Sequence, residues 1–239
     1  MNAHDATGCV ITIDGPAGAG KSSVARRLAR RLGMDFLDTG AMYRGVAAAV
    51  LDAGLDPDDE PAVADLAEQL KIRFDFNHDP PRLRVDSIDM THRLRDPDVT
   101  TAVSPIAGNA RVRRVLVHAQ RWIGGEHPRI VTEGRDQGSV VFPGAAVKFY
   151  LDAAAEERAR RRAEQLRQAG KDADEQKILE QIIYRDQRDR TRADGPLICP
   201  DDAIVIDSSH MSLDQVVDAL AGQAAARCDL LTDVGEGGA

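Results

Sequence analysis

The chain alternates short apolar runs with longer segments in which apolar residues recur every three or four positions. The runs predict buried strands, and they lie at residues 10–13, 36–37, 129–132 and 147–151. A segment with helical periodicity follows, for example residues 24–32 after the first run. Such alternation is typical of a three-layer α/β core, in which helices cover a parallel sheet.

Near residues 71–95 the pattern changes to a period of two. Ile72, Phe74 and Phe76 alternate with polar residues, a turn follows at 77–81, and residues 83–86 alternate again. Alternation on both sides of a turn predicts a small antiparallel sheet inserted into the parallel architecture.

A glycine-rich loop with the spacing G-x-x-x-x-G-K-S joins the first predicted strand to its helix. The loop consists of Gly15, Pro16, Ala17, Gly18, Ala19, Gly20, Lys21 and Ser22, with Ser23 next. Small residues let backbone N–H groups converge on phosphate oxygens at a helix N-terminus. The spacing predicts that Lys21 reaches the β- and γ-phosphates and that Ser22 ligates Mg²⁺.

Charge and composition narrow the choice of class. With 31 Lys and Arg against 39 Asp and Glu among 239 residues, the net charge of −8 excludes a general polyanion binder. No secretion signal or membrane-spanning run of about 18 residues is present in the sequence, so a cytoplasmic protein is expected. Cys9, Cys199 and Cys228 are odd in number and far apart, which favours reduced thiols.

Other motifs follow the second and third predicted strands. Thr39, Tyr43 and Arg44 open a helix, where an arginine and a tyrosine could hold an acceptor phosphate. Residues 133–136 read E-G-R-D at the carboxyl end of the next strand, where ligands bind in open parallel sheets. An ordinary surface role for Arg44, a capping role for Glu133 and a turn role for Asp136 are the alternatives.

Arginines are concentrated in two later helical segments. Residues 158–162 hold four, and residues 185, 188, 189 and 192 share one face of a second helix. A charge run is usually a solvated face, but in an acidic protein with a phosphate loop this concentration favours phosphate binding. No N-K-x-D segment supports GTP, so the favoured class transfers a phosphoryl group from ATP to a small acceptor.

These motifs resemble those of the bacterial-type cytidylate kinase family, from about Val10 to Ala221. The matching segments are I-D-G-P-A-G-A-G-K-S-S, L-D-T-G-A-M-Y-R, E-G-R-D-Q-G-S-V-V-F-P, K-F-Y-L-D-A-A-A-E-E-R-A-R-R-R and Y-R-D-Q-R-D-R-T-R. The family commonly has Ser where Thr39 stands and often Asp where Glu133 stands.

The resemblance implies phosphorylation of CMP and dCMP by Mg-ATP, and it assigns residues to three groups. The ATP phosphates would lie on residues 15–23. CMP would contact Thr39, Tyr43, Arg44, Ser104, Arg113, Arg135, Asp136, Arg185, Asp189 and Arg192. Charge on the transferred group would be neutralised by Lys21, Arg158, Arg161, Arg162 and Arg192.

The expected organisation is one kinase domain over residues 1–239. Its core covers 8–51 and 105–222, its acceptor-binding region 52–104, an arginine-rich helical lid 153–192, and a flexible tail 223–239. We expect a monomer that binds neither nucleic acid nor membranes. The alternatives are another small-acceptor P-loop kinase, of the UMP or shikimate type, and an ATP-binding regulatory module that transfers nothing.

Overall fold

The computed structural model describes residues 8–228. The strands are β1 (Cys9–Asp14), β2 (Asp35–Asp38), β3 (Ile72–Asp75), β4 (Arg82–Val85), β5 (Ile88–Asp89), β6 (Arg129–Glu133), β7 (Val147–Asp152) and β8 (Ile204–Asp207). The α-helices are α1 (Lys21–Leu32), α2 (Thr39–Asp52), α3 (Glu60–Gln69), α4 (Pro97–Gly108), α5 (Ala110–Glu126), α6 (Ala155–Gln168), α7 (Glu175–Thr191) and α8 (Leu213–Ala225).

The chain divides into two compact units, and the boundaries differ from those expected. One unit combines the chain up to Met34 with the chain from Pro128 onward, and the other is Asp35–His127. The expected acceptor-binding region, residues 52–104, includes the β insert near 71–95 but leaves out nearly all of α2 and all of α5. Helices α2, α4 and α5 instead pack with the insert or with one another, so they belong to the same unit.

Within the first unit a parallel sheet has the strand order β6-β1-β7-β8. Ile11 of β1 lies in register with Val131 on one side and Val147 on the other. Strands β1, β6 and β7 are buried, and β1 and β6 are rich in β-branched residues, as expected where helices cover a sheet, whereas the edge strand β8 is only half buried. The parallel sheet predicted from the apolar runs is therefore confirmed.

Two pairs of helices complete this unit. Helix α1 packs against α8, and Arg27 and Arg31 of α1 form ion pairs with Asp214 and Asp218 of α8. Helices α6 and α7 form a hairpin whose own small apolar core consists of Ala159, Ala163, Ile178 and Ile182. This hairpin lies within residues 153–192, for which the sequence predicts an arginine-rich lid.

The second unit contains the predicted antiparallel insert. Strand β4 pairs with β3 and β5, with Phe74 opposite Leu83. Gly45 of α2 lies against this sheet, since a Cβ at that position would be 2.5 Å from a methyl carbon of Leu83. The missing side chain therefore lets the helix approach the insert closely.

Two expectations about the C-terminal segment need correction. Helix α8 continues to Ala225, so residues 223–225 of the expected flexible tail are helical, and residues 229–239 lie outside the described part. Cys9 and Cys228 form a disulfide with their Cα atoms 5.9 Å apart, so the prediction of reduced thiols is wrong for this pair. Cys199 is free and exposed. Across residues 8–228, no helix has the length and apolar character needed to cross a membrane.

Candidate active site

The glycine-rich loop turns sharply between β1 and α1. Gly15 has φ +149°, and a Cβ there would lie only 2.0 Å from the Leu151 carbonyl oxygen. Gly20, the N-cap of α1, has φ +92° in the left-handed region that favours glycine. A larger residue would be excluded at Gly15 and strained at Gly20. The two glycines therefore allow the loop to pass close to β7 and to place its amides at the start of α1.

Lys21 is buried at the first position of α1, and its Nζ donates to the Pro16 carbonyl oxygen at 2.7 Å. Burial, together with the positive charge of Arg135, lowers the pKa of Lys21 to about 7. The nearby carboxylates of Glu133 and Asp14 act in the opposite direction. An anionic phosphate would favour the charged form of this amine.

The Ser22 hydroxyl donates to the Glu133 carboxylate at 2.7 Å. Ser22 is exposed at the start of α1, while Glu133 is 5% exposed at the end of β6. Two oxygen donors beside a phosphate loop fit Mg²⁺, which prefers oxygen ligands and keeps much of its water. No cluster of three or more His, Cys, Asp or Glu side chains suitable for a metal occurs within residues 8–228, so phosphate oxygens and water would complete the coordination.

Asp14 closes the end of β1 next to the loop. Its carboxylate accepts the backbone N–H groups of Gln137 and Gly138, at 2.9 and 2.7 Å. Burial raises the pKa of Asp14 to about 6, although both N–H groups act to lower it. The contacts fix the π-helical turn Gln137–Val141, which directly follows Asp136.

Charged residues predicted from separate strands and helices meet within the first unit. Arg135 donates to the Asp189 carboxylate at 2.8 Å. Burial alone would raise the pKa of Asp189, but the Arg135 charge and hydrogen bond hold it below its usual value. Arg192 lies 3.8 Å from the buried carboxylate of Asp136 and also donates to the Gly195 carbonyl oxygen.

Two arginines that the sequence places on one face of α7 have different surroundings. Arg185 is half-buried, and its positive charge helps to lower the pKa of Asp189. Arg188 is exposed, with its guanidinium 5.9 Å from the centre of the Tyr184 ring. The structure therefore places Arg188 against Tyr184 on the exposed surface of α7.

The three lid arginines differ in their surroundings. Arg158 is 4% exposed and donates to the carbonyl oxygens of Ala153 and Ala17, both at 2.8 Å. Arg161 is partly buried and bonded to Glu157 and to the Ser208 carbonyl oxygen. Arg162 is exposed.

The remaining predicted residues lie in the second unit. Asp38 caps α2 by accepting the Ala41 N–H, and both of its oxygens accept from Arg44 at 3.1 Å. Arg113, in the first turn of α5, is 1% exposed and donates to the Tyr43 hydroxyl at 3.1 Å. Thr39 is buried, and Ser104 lies partly exposed on α4.

Two buried acids received no role from the sequence. Asp14 directly precedes the loop. Asp186 lies inside the arginine-rich motif but not on the helix face shared by residues 185, 188, 189 and 192. Asp186 accepts the Ala17 N–H at 3.2 Å and pairs with Arg158 at 2.7 Å. In the sequence, the only indication of a role is that each acid lies in or next to a motif. The structure adds that both carboxylates are buried, which solvated surface acids are not.

Together, the parallel sheet, the phosphate loop with its buried lysine and the arginine-rich hairpin define a P-loop kinase. Comparisons with known proteins narrow the class. The family model described as cytidylate kinase matches residues 11–226. The cytidylate kinase of Mycobacterium avium is 46% identical over 211 residues, covering 88% of this chain and 92% of that protein.

The cytidylate kinase of Aeromonas salmonicida is 42% identical over 208 residues, covering 87% of this chain and 90% of its own. The chain therefore belongs to the cytidylate kinase family. A solved structure of an uncharacterized protein from Eubacterium ventriosum matches with a TM-score of 0.51 at 13% identity, covering 92% of this chain and 99% of that one. That likeness concerns the fold alone.

Proposed function

We propose that the protein transfers the γ-phosphoryl group of Mg-ATP to CMP and dCMP, forming ADP with CDP or dCDP. The observation that carries the proposal is the charge cluster around the phosphate loop. The charges of Arg135, Glu133 and Asp189 all act on the pKa of Lys21, so these side chains lie near the loop lysine. A site for the donor phosphates and an arginine-rich second anion site therefore share one end of the sheet. Family membership supplies CMP as the acceptor.

On the donor side, the amides of residues 15–23 would hold the ATP phosphates, with Lys21 charged once they are bound. Ser22 would hold Mg²⁺, with Glu133 accepting from its hydroxyl or from a metal-bound water. The metal would shield phosphate charge and orient the transferred group. Arg161 and Arg162 of the lid would add positive charge when the lid closes.

On the acceptor side, the phosphate of CMP would be held by arginines, because their planar fork matches phosphate oxygens and stays charged. Asp189 and Arg185 would take the sugar hydroxyls, and Asp136 the exocyclic amine of cytosine. The full set proposed for CMP is Thr39, Tyr43, Arg44, Ser104, Arg113, Arg135, Asp136, Arg185, Asp189 and Arg192.

The reaction needs no general base. A phosphate monoester has its second pKa near 6, so the attacking oxygen is already anionic at neutral pH. That oxygen forms a bond to the γ-phosphorus while the bond from the γ-phosphorus to the β,γ-bridging oxygen breaks. ADP leaves with the electron pair of that bond, and Lys21, Arg192 and the lid arginines neutralise the charge that develops.

The test is an ADP-release assay with Mg-ATP and a panel of acceptors: CMP, dCMP, UMP, AMP, GMP, TMP and shikimate. Turnover confined to CMP and dCMP, with at most weak use of UMP, is the expected result. Lys21→Ala should lower turnover on the order of 10²-fold or more with the fold retained. Preferred turnover of shikimate or UMP, or ATP binding without any turnover, would contradict the proposal. A monomeric state and a cytoplasmic location stay predictions from the sequence.

A further inference from the structure

The buried ion pair between Arg158 and Asp186 joins the two lid helices beside the phosphate loop. Arg158 of α6 is 4% exposed and Asp186 of α7 is 5% exposed, with their charged atoms 2.7 Å apart. Burying two charges is costly unless they are paired and their remaining hydrogen-bonding groups are used. The other contacts of this pair therefore matter.

Those contacts converge on one residue of the phosphate loop. Asp186 accepts the Ala17 N–H at 3.2 Å, and Arg158 donates to the Ala17 carbonyl oxygen at 2.8 Å. Both polar groups of a single loop residue are thus held by charged side chains. Gly18, the next residue, has φ +80°, and a Cβ there would lie 3.5 Å from the Cβ of Arg158.

Helix α7 also carries residues of the proposed acceptor site. Asp189 binds Arg135, and Arg192, which follows the last turn of the helix, lies near Asp136. A helix transmits displacement along its length, because its turns are joined by backbone hydrogen bonds. A shift of α7 as the acceptor binds would therefore act on Ala17 through Asp186.

We propose that Asp186 and Arg158 are positioning residues for the phosphoryl donor. By holding both backbone polar groups of Ala17, they orient the following loop amides toward the ATP phosphates and connect α7 to the loop. This inference rests on the proposed function and changes one part of it. Arg158 acts through the loop, whereas the family resemblance implies that Arg158 itself neutralises charge on the transferred group.

The experiment measures donor and acceptor affinities separately by calorimetry, each ligand alone, using a non-hydrolysable Mg-ATP analogue and CMP. Asp186→Ala removes both contacts and should weaken analogue binding by about tenfold or more, because a charged hydrogen-bond network is lost. The affinity for CMP alone should change less than about threefold, because Asp186 acts on Arg135 only through its charge and the ion pair of Arg135 with Asp189 remains. Asp186→Asn keeps an acceptor for the Ala17 N–H and should lie between the wild type and Asp186→Ala.

The matched control is Asp174→Ala, which removes the N-cap of the same helix. Asp174 accepts the Lys177 N–H at 3.1 Å and lies at the opposite end of α7 from Arg192. Its loss should lower the melting temperature but leave analogue affinity unchanged. If Asp186→Ala fails to fold, the same calorimetry is done with the double variant Arg158→Gln and Asp186→Asn. This variant replaces the ion pair by a neutral hydrogen-bonding pair.

Unchanged analogue affinity in the folded variants would overturn the proposal, as would an equal loss of affinity for CMP. A loss in Asp174→Ala as large as that in Asp186→Ala would also overturn it, since general loosening of α7 would then be the cause. Binding of the analogue is measured without turnover, so a failure of CMP phosphorylation in the wild type remains distinguishable.

Discussion

Asp136 is buried at the end of the E-G-R-D segment and is proposed to accept from the cytosine amine. Asp136→Ala should therefore raise the KM for CMP about five- to 150-fold, the effect of about 1–3 kcal/mol for an unpaired base-reading group. The KM for ATP should change much less. Steady-state kinetics with each substrate varied in turn make the measurement.

Asp201→Ala is the control for Asp136→Ala, because Asp201 is an exposed acid of the same unit, in the turn before β8. It should leave both constants unchanged. Equal increases in the two constants for Asp136→Ala would argue against a role in reading the base.

Lys21 gives a pH dependence whose sign can be stated. Its pKa in the free protein is about 7, so at pH 8 the amine is mostly neutral, and bound phosphates would restore its charge. ATP binding should therefore take up close to one proton at pH 8 and less at pH 6, where Lys21 is already largely protonated. Calorimetry in buffers of different ionisation enthalpy measures the uptake.

Lys21→Met cannot take up this proton, so its uptake at pH 8 should be lower by nearly one proton. Identical uptake by the variant and the wild type would show that other groups titrate on binding.

At the scale of elements, the start of α5 connects a capping residue to Arg113, one of the residues proposed to bind CMP. Asn109 accepts the N–H groups of Arg111 and Val112 and donates to the Glu60 carbonyl oxygen. The backbone N–H of Arg113 donates to the Asn109 carbonyl oxygen. The cap therefore fixes the turn from which Arg113 projects.

Asn109→Ala should cost about 1–2 kcal/mol of stability, as the loss of an N-cap does. It should also raise the KM for CMP severalfold while leaving the KM for ATP unchanged, because the first turn of α5 would loosen. Denaturant unfolding and steady-state kinetics measure the two effects.

Asp59→Ala is the matched control for Asn109→Ala. It removes the N-cap of α3, where Asp59 accepts the Ala62 N–H, and α3 carries no proposed site residue. Stability should fall, but the KM for CMP should stay the same. A cost in CMP affinity as large as that of Asn109→Ala would contradict the link to Arg113.

At the scale of the whole molecule, the Cys9–Cys228 disulfide joins residues 219 positions apart. Disulfides persist mainly in oxidising compartments and are rare in the cytosol. The number of free thiols in the purified protein therefore tests both the disulfide and the predicted cytoplasmic location. Protein purified without reductant and then denatured should show one titratable thiol, from Cys199, and three after reduction. Reductant should lower the free energy of unfolding by about 2–4 kcal/mol.

Cys228→Ser should be insensitive to reductant in its stability and should show two thiols under both conditions. Three thiols in the unreduced wild type would show that the pair is not bonded in solution.

The sequence determined the elements and the chemistry of the loop. Apolar periodicity predicts β1, β6, β7 and the insert because strand and helix periods are local properties of the chain. The phosphate loop is equally local, since its glycines, Lys21 and Ser22 are consecutive. Family membership also follows from the sequence, because the motifs extend over most of the chain.

Only the tertiary structure decided which charges meet and which cysteines pair. In the sequence Arg158 looks like Arg161 and Arg162. In the structure Arg158 differs from them because it is buried and donates to the Ala17 carbonyl oxygen. Asp186 and Asp189 are three residues apart on one helix, but one holds the phosphate loop and the other Arg135. Burial and long-range pairing depend on where distant segments pack, and no local pattern in the sequence contains that information.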